Sequence, residues 1–286
     1  MDTFFNKTGE YRFIRRVGVE LEGAWKGVHT LHNYSTTTGG VIIRDGSLDS
    51  FESGRLICTS DGKSADRDNL PEITVGEINS NPPCVPIRSV KTLIEFVRRY
   101  YPDYISNHCG MHVHMSTITR YAYNKLLCPE FTGDVGMGHK GEIFVALRKW
   151  AEKKGLPASH NIWRRLDNKN DFCRRSFLAE GQAKERSKNY RHSGAAARYT
   201  AVAYHWSRRG ADSKPMRTVE CRLLPMFENA DLAVEAILEV MRTTNGFINK
   251  EIARREKSYD FNVPLSMGQS NFVISTSLRG GKNQCV

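Results

Sequence analysis

Three short stretches of this chain set ionisable or polar side chains two residues apart with an apolar residue or a cysteine between them: Glu20-Leu21-Glu22, His112-Val113-His114 and Glu220-Cys221-Arg222. Residues two apart on a β-strand project from one face, about 6 to 7 Å from each other at a rise of about 3.3 Å per residue. Each pair therefore reads as the polar face of a strand whose other face is apolar. A sheet face carrying this many carboxylates cannot be dry and uncompensated, because buried carboxylates repel and must be protonated, paired or neutralised. Divalent cations meet that need. A carboxylate-rich set with few imidazoles favours Mg²⁺ or Mn²⁺ over zinc, which prefers tetrahedral nitrogen and sulfur ligands. Taken singly, each pair also fits a blander reading, since antiparallel sheets often expose one solvated face and a His-x-His pair serves zinc hydrolases or is simply hydrogen-bonded.

Two further segments extend the set. Glu77-Ile78-Asn79 ends a β-branched run just before Pro82 and Pro83, placing Glu77 and Asn79 on one face. Asp45-Gly46-Ser47-Leu48 follows Val41-Ile42-Ile43 and reads either as a hairpin turn or as a turn that points its acid into the site. Strand-like runs are expected at Tyr11 to Glu22, Val41 to Leu48, Arg55 to Thr59, Glu72 to Asn79, Gly110 to Ser116, Arg198 to Trp206 and Met216 to Leu224. Helical stripes run through Val90, Leu93, Ile94, Val97 and Tyr101, closed by Pro102, and through Ile143, Phe144, Leu147, Trp150 and Ala151, ending at Gly155. A third, through Leu232, Ala233, Ile237, Val240 and Met241, follows a cap candidate at Asn229. Grouped strands with amphipathic helices between them predict an α+β fold with a largely antiparallel sheet and helices on one face.

The formal charge of +11 attracts anionic partners. Nine basic residues between Arg164 and Arg191 stand against four acidic ones, with poor apolar periodicity, which predicts either a solvated loop or an anion-facing lid. No window offers the roughly 18 consecutive apolar residues of a membrane span, and Met1 to Lys7 lack the apolar run of a signal peptide. The seven cysteines include no CxxC pair, so reduced thiols and a cytoplasmic location are expected. Two nucleotide-site lookalikes fail. Gly62-Lys63-Ser64 has Ile57 where the phosphate-cradling loop needs its first glycine, and the glycines at 136, 138 and 141 lack a preceding strand.

The stretch Asn107 to Ser116 resembles the Asn-Gly-Ser-Gly-Met-His-x-His-x-Ser signature of the superfamily of glutamine synthetase and glutamate–cysteine ligase, with His108 in place of a small residue. The closer resemblance is to the amidoligase family within it. Gly18-Val19-Glu20-Leu21-Glu22, Asp45-Gly46-Ser47-Leu48, Gly76-Glu77-Ile78-Asn79-Ser80, Cys109 to His114, Arg198-Tyr199-Thr200-Ala201-Val202 and Thr218 to Arg222 follow that family's order over roughly residues 12 to 245.

The resemblance implies a single catalytic domain over 1–286, with a curved antiparallel sheet and helices on its outer face, a basic insertion or lid at about 164–191 and a polar tail from about 265. It implies ATP-dependent amide formation between a carboxylate and an amine through an acyl phosphate, a step driven mainly by positioning and charge neutralisation. In that scheme Glu20, His112 and Glu220 hold one Mg²⁺ or Mn²⁺, and Glu22 with Glu77 a second. His114 lies near the nucleotide phosphates, Arg198 and Arg222 stabilise the transferring phosphoryl group, and Asp45 receives the amine's proton. The charge admits substrates carried on a larger anion such as nucleic acid or a peptide. About 19 residues precede Glu20, so the N-terminal domain and ring assembly of glutamine synthetase are not expected. The rival readings are a basic nucleic-acid-binding protein and a metal-dependent hydrolase using His112 and His114.

Overall fold

The computed structural model describes residues 10–27, 41–43, 48, 56–59, 63–65, 72–80, 89–133, 140–170, 173, 200–207 and 216–260. Its strands are β1 (Ile14–Lys26), β2 (Val41–Ile43), β3 (Leu56–Cys58), β4 (Ser64–Ala65), β5 (Ile73–Asn79), β6 (Tyr104–Ile105), β7 (Gly110–Thr117), β8 (Val202–Ser207) and β9 (Met216–Pro225). The helices are α1 (Val90–Tyr100), α2 (Arg120–Lys125), α3 (Pro129–Thr132), α4 (Glu142–Lys153), α5 (Asn161–Leu166) and α6 (Ala230–Asp260). The sheet lies within the unit Met1–Glu251, and Ile252–Val286 form a second unit, of which the helical residues 252–260 are described.

All strand pairs are antiparallel and belong to one open, uncurled sheet, so the fold is α+β. β1 is its spine. One edge of β1 pairs with β5 from Glu20 to Lys26, and the other pairs with β7 from Ile14 to Leu21 and with β6 at Ala24. β9 and β8 extend the sheet beyond β7, β2 lies beyond β5, and β3 and β4 continue from β6.

Alternation decides which residues enter the core. Val17, Val19 and Leu21 of β1, Met111, Val113 and Met115 of β7, and Val219, Cys221 and Leu223 of β9 are buried. Phe96 and Tyr100 of α1 pack on Trp25 and Ile78, and the Trp25 indole N–H donates to the Tyr100 carbonyl. All five apolar residues of the stripe in α4 are buried, and Phe131 of α3 meets Phe247 of α6 with ring centroids 5.1 Å apart. Gly23 has a steric reason: any Cβ there would collide with Pro102, where the chain crosses β1 on its way from α1 into β6.

The helix ends follow local chemistry. Ser89 Oγ accepts the Thr92 N–H at the start of α1, and Asn229 Oδ1 accepts the Leu232 N–H at the start of α6. Gly155 ends α4 with φ of +67°, a conformation only glycine adopts cheaply. Among the described residues no helix is long and apolar enough to cross a membrane. The basic run from Arg164 begins inside α5, whose Arg165 is buried, so that residue belongs to the interior and not to a solvated lid. Residues 171–172 and 174–191 and the tail from 265 lie outside the described residues, as do Asp45 and Arg198.

Candidate metal centre

The strand register brings the predicted pairs together. Glu20 stands opposite Asn79 on one side and His112 on the other, and His114 stands between Gly18 and Glu220. Ala203 lies beyond Glu220. Gly18 and Ala203 leave the row around His114 and Glu220 uncrowded. Glu22 and Glu77 are direct cross-strand neighbours, and Glu77 Oε1 accepts a 2.9 Å hydrogen bond from the Asn79 amide.

A bulge shapes the third strand. Val113 pairs with Cys221 but Met111 pairs with Leu224, so Arg222 and Leu223 both stand opposite His112. The Arg222 N–H bonds to the Ala201 carbonyl, and its side chain returns to Glu220 with Nη1 2.8 Å from Oε1.

The side chains form a dense, largely buried cluster. His112 Nδ1 donates to Glu20 Oε2 and His114 Nε2 to Glu20 Oε1, each at 2.7 Å. His112 also lies 3.4 Å from Glu220 Oε1 and 3.6 Å from Glu22 Oε1, and His114 Nε2 is 4.0 Å from Glu220 Oε1. Glu22 Oε2 accepts the Gly110 N–H. Glu220 is only 1% exposed, so its charge is tolerable only with partners this close.

The metal-free cluster is balanced by protons and arginine. Burial acts against the charged form of His114, but Glu20 and Glu220 outweigh it and raise its pKa to about 9. Burial likewise works against an ionised Glu20, and the charge of His114 with hydrogen bonds from both histidines still holds it well below the usual carboxylate range. Arg222 loses to burial and gains more from Glu220, Glu20 and Glu22, so its pKa rises further above its usual value.

One donor atom from each of Glu20, His114 and Glu220 falls within 4.8 Å of the others, a spacing suited to one cation. Donors on a small hard ion stand about 2.0–2.1 Å from it, so atoms 2.7 and 4.0 Å apart can share one. The set offers two carboxylates and one imidazole. Thiolate ligation is disfavoured, because burial pushes the Cys109 and Cys221 thiols up to about 12 and Cys173 to about 11. The described cysteines, at 58, 109, 128, 173 and 221, form no disulfide.

Of the residues singled out in the sequence, Glu20, Glu22, His112, His114, Glu220 and Arg222 converge, with Glu77 beside Glu22. The three-donor group contains His114, where the resemblance assigned His112. His114 is the direct cross-strand partner of Glu220, while the His112 ring lies nearer the Glu220 carboxylate, at 3.4 Å against 4.0 Å. Sequence reading missed Arg165, whose Nη1 donates to the Arg222 carbonyl at 2.9 Å and Nη2 to the Cys109 carbonyl at 3.2 Å. Its signal lay in Ile162 and Leu166, four apart, with Arg165 three residues after Ile162 and so on the same side of the helix. No family model, curated protein or solved structure matches the chain.

Proposed function

We propose that this chain is an ATP-dependent carboxylate–amine ligase that forms an amide bond at a centre holding Mg²⁺ or Mn²⁺. The observation that carries the reading is the convergence of Glu20, His112, His114, Glu220 and Arg222 from three adjacent strands onto one face of the sheet. Glu20, His114 and Glu220 would hold a cation, which would supply charge neutralisation at a transferring phosphoryl group. Arg222 would add a second positive group beside it, with Glu22 and Glu77 available to a further ion.

A glutamine synthetase-like catalytic fold is part of the same reading. An antiparallel sheet with carboxylates and histidines on one face supports it, and the curvature it implies is the feature an open sheet does not display. Membership of the amidoligase family, a cytoplasmic location, and carboxylate and amine substrates, free or carried on nucleic acid or a peptide, belong to the proposal too. A second reading, a metal-dependent hydrolase, is favoured by the presence of an imidazole in the donor group and would need no ATP.

The test is incubation of the protein with a cell extract, ATP and Mg²⁺, followed by mass spectrometry. Mass gains equal to condensation with loss of water, release of ADP and phosphate, and a hydroxylamine-trappable acyl phosphate are expected, all lost in Glu220→Ala. AMP release, or unchanged turnover in Glu220→Ala, would reject the ligase; metal-dependent turnover without ATP would establish the hydrolase.

A further inference from the structure

Arg165 is a buried cation that no step of the proposed chemistry uses. It is 2% exposed, sits at the end of α5, and its Nε has no hydrogen-bond partner. An arginine in that state is costly unless nearby negative groups compensate it. Two backbone carbonyls do so in part: Cys109, just before β7, and Arg222, within the bulge of β9. That bulge sets Arg222 and Leu223 together against His112, and the Arg222 carbonyl there accepts from the Arg165 guanidinium.

Glu22 is the carboxylate that borders the same glycine as Arg165, Gly110. A Cβ built on Gly110 would lie 3.0 Å from Arg165 Nη2 and 3.2 Å from Glu22 Oε2, so guanidinium and carboxylate converge on this glycine from two sides. Gly110 itself donates its N–H to Glu22. Any larger residue at 110 would press on both groups.

We propose that Arg165 is a positioning residue for the metal centre: by bridging the Cys109 and Arg222 carbonyls and compensating Glu22, it fixes the bulge that turns the Arg222 guanidinium onto Glu220. The line of action runs from Arg165 to the Arg222 carbonyl, through the Arg222 side chain, to Glu220 Oε1. Groups that orient a ligand in this way tune metal affinity without touching the ion. The consequence for metal binding rests on the proposed function; the tie between Arg165 and Glu22 does not.

The experiment measures both in the full chain. Mn²⁺ dissociation constants are determined by electron paramagnetic resonance, well below each variant's melting temperature, for wild type, Arg165→Lys and the exposed control Arg164→Met. Lysine keeps the charge but cannot span two carbonyls, so Arg165→Lys should bind Mn²⁺ about tenfold more weakly or worse, and Arg164→Met as wild type does. Separately, thermal melts of metal-free Glu22→Gln, Arg165→Met and the double variant form a cycle. The double variant should lose less than the sum of the singles, because in the wild type the two buried charges offset each other. If Arg165→Met does not fold, restoration of folding by Glu22→Gln is the same coupling. Wild-type Mn²⁺ affinity in Arg165→Lys, or an additive cycle, overturns the proposal. A wild-type protein that takes up no Mn²⁺ removes the metal centre alone, and the cycle still decides the role of Arg165.

Discussion

On one face of β1, β7 and β9 stand Val19, Leu21, Met111, Val113, Val219 and Cys221; on the other, one residue along, stand Glu20, Glu22, His112, His114 and Glu220. Both faces are largely out of water, yet they bear on stability in opposite ways. The apolar face contributes roughly 1.5–3 kcal/mol for each large side chain it buries. The polar face gathers three carboxylates whose desolvation must be offset by histidine protons and arginine. One supplies the folding energy, and the other spends part of it on a cluster of mutually compensating charges.

The sharpest break between the faces is expected at two adjacent positions. Leu21→Ala removes a fully buried side chain and should cost about 2–5 kcal/mol, read as a large drop in the urea midpoint. Glu20→Gln, one residue earlier, keeps the shape, with an amide oxygen to accept from one histidine and an amide N–H to donate to the other. It should cost the metal-free fold less than Leu21→Ala while weakening Mn²⁺ by more than about 100-fold, or about 2.7 kcal/mol, by calorimetric titration. A Glu20→Gln variant as unstable as Leu21→Ala would mean that the polar face serves folding after all.

pH separates the faces further. The pKa of His114 rises from its usual 6.5 to about 9, so its contribution to the metal-free fold is complete below 6.5 and is lost as pH climbs through 9. Glu20 works in the other direction, contributing above the ordinary carboxylate range and failing only as pH falls through its lowered value. Metal-free melting temperature should therefore decline between pH 6.5 and 9. Mn²⁺ affinity should rise over that same interval, by up to about tenfold per pH unit, because His114 must release its proton to ligate. Parallel trends in the two curves would exclude His114 as a ligand. The smallest effect lies far from both faces: Asn229→Ala removes the cap of α6 and should cost about 1 kcal/mol in thermal melts, with Mn²⁺ affinity unaltered.

Much of this arrangement is legible in the sequence because it depends on period alone. Alternation or β-branched enrichment marks each of the seven strands of three or more residues among the described residues, and the stripe in α4 with its stop at Gly155 is complete. The two-residue strands β4 and β6 were not legible, since so short a run carries no period. Within the site, the pairs were visible but their register was not. Which histidine stands directly across from Glu220 depends on how β7 aligns with β9, and a one-residue bulge at Arg222 shifts that alignment partway along. Arg165 was hidden for a different reason. In a run rich in exposed basic residues its charge suggested solvent, whereas the short helix between Ile162 and Leu166 turns it inward to carbonyls contributed by β7 and β9.

The central claim is that the buried carboxylate and imidazole cluster is a cation site. It is tested most directly by titrating Mn²⁺ into the metal-free protein at pH 8 and following the free-ion resonance, with Glu20→Gln and Glu220→Gln alongside. The account predicts saturable uptake by the wild type that is lost in both variants. Uptake that is absent, or equal in all three, would contradict it.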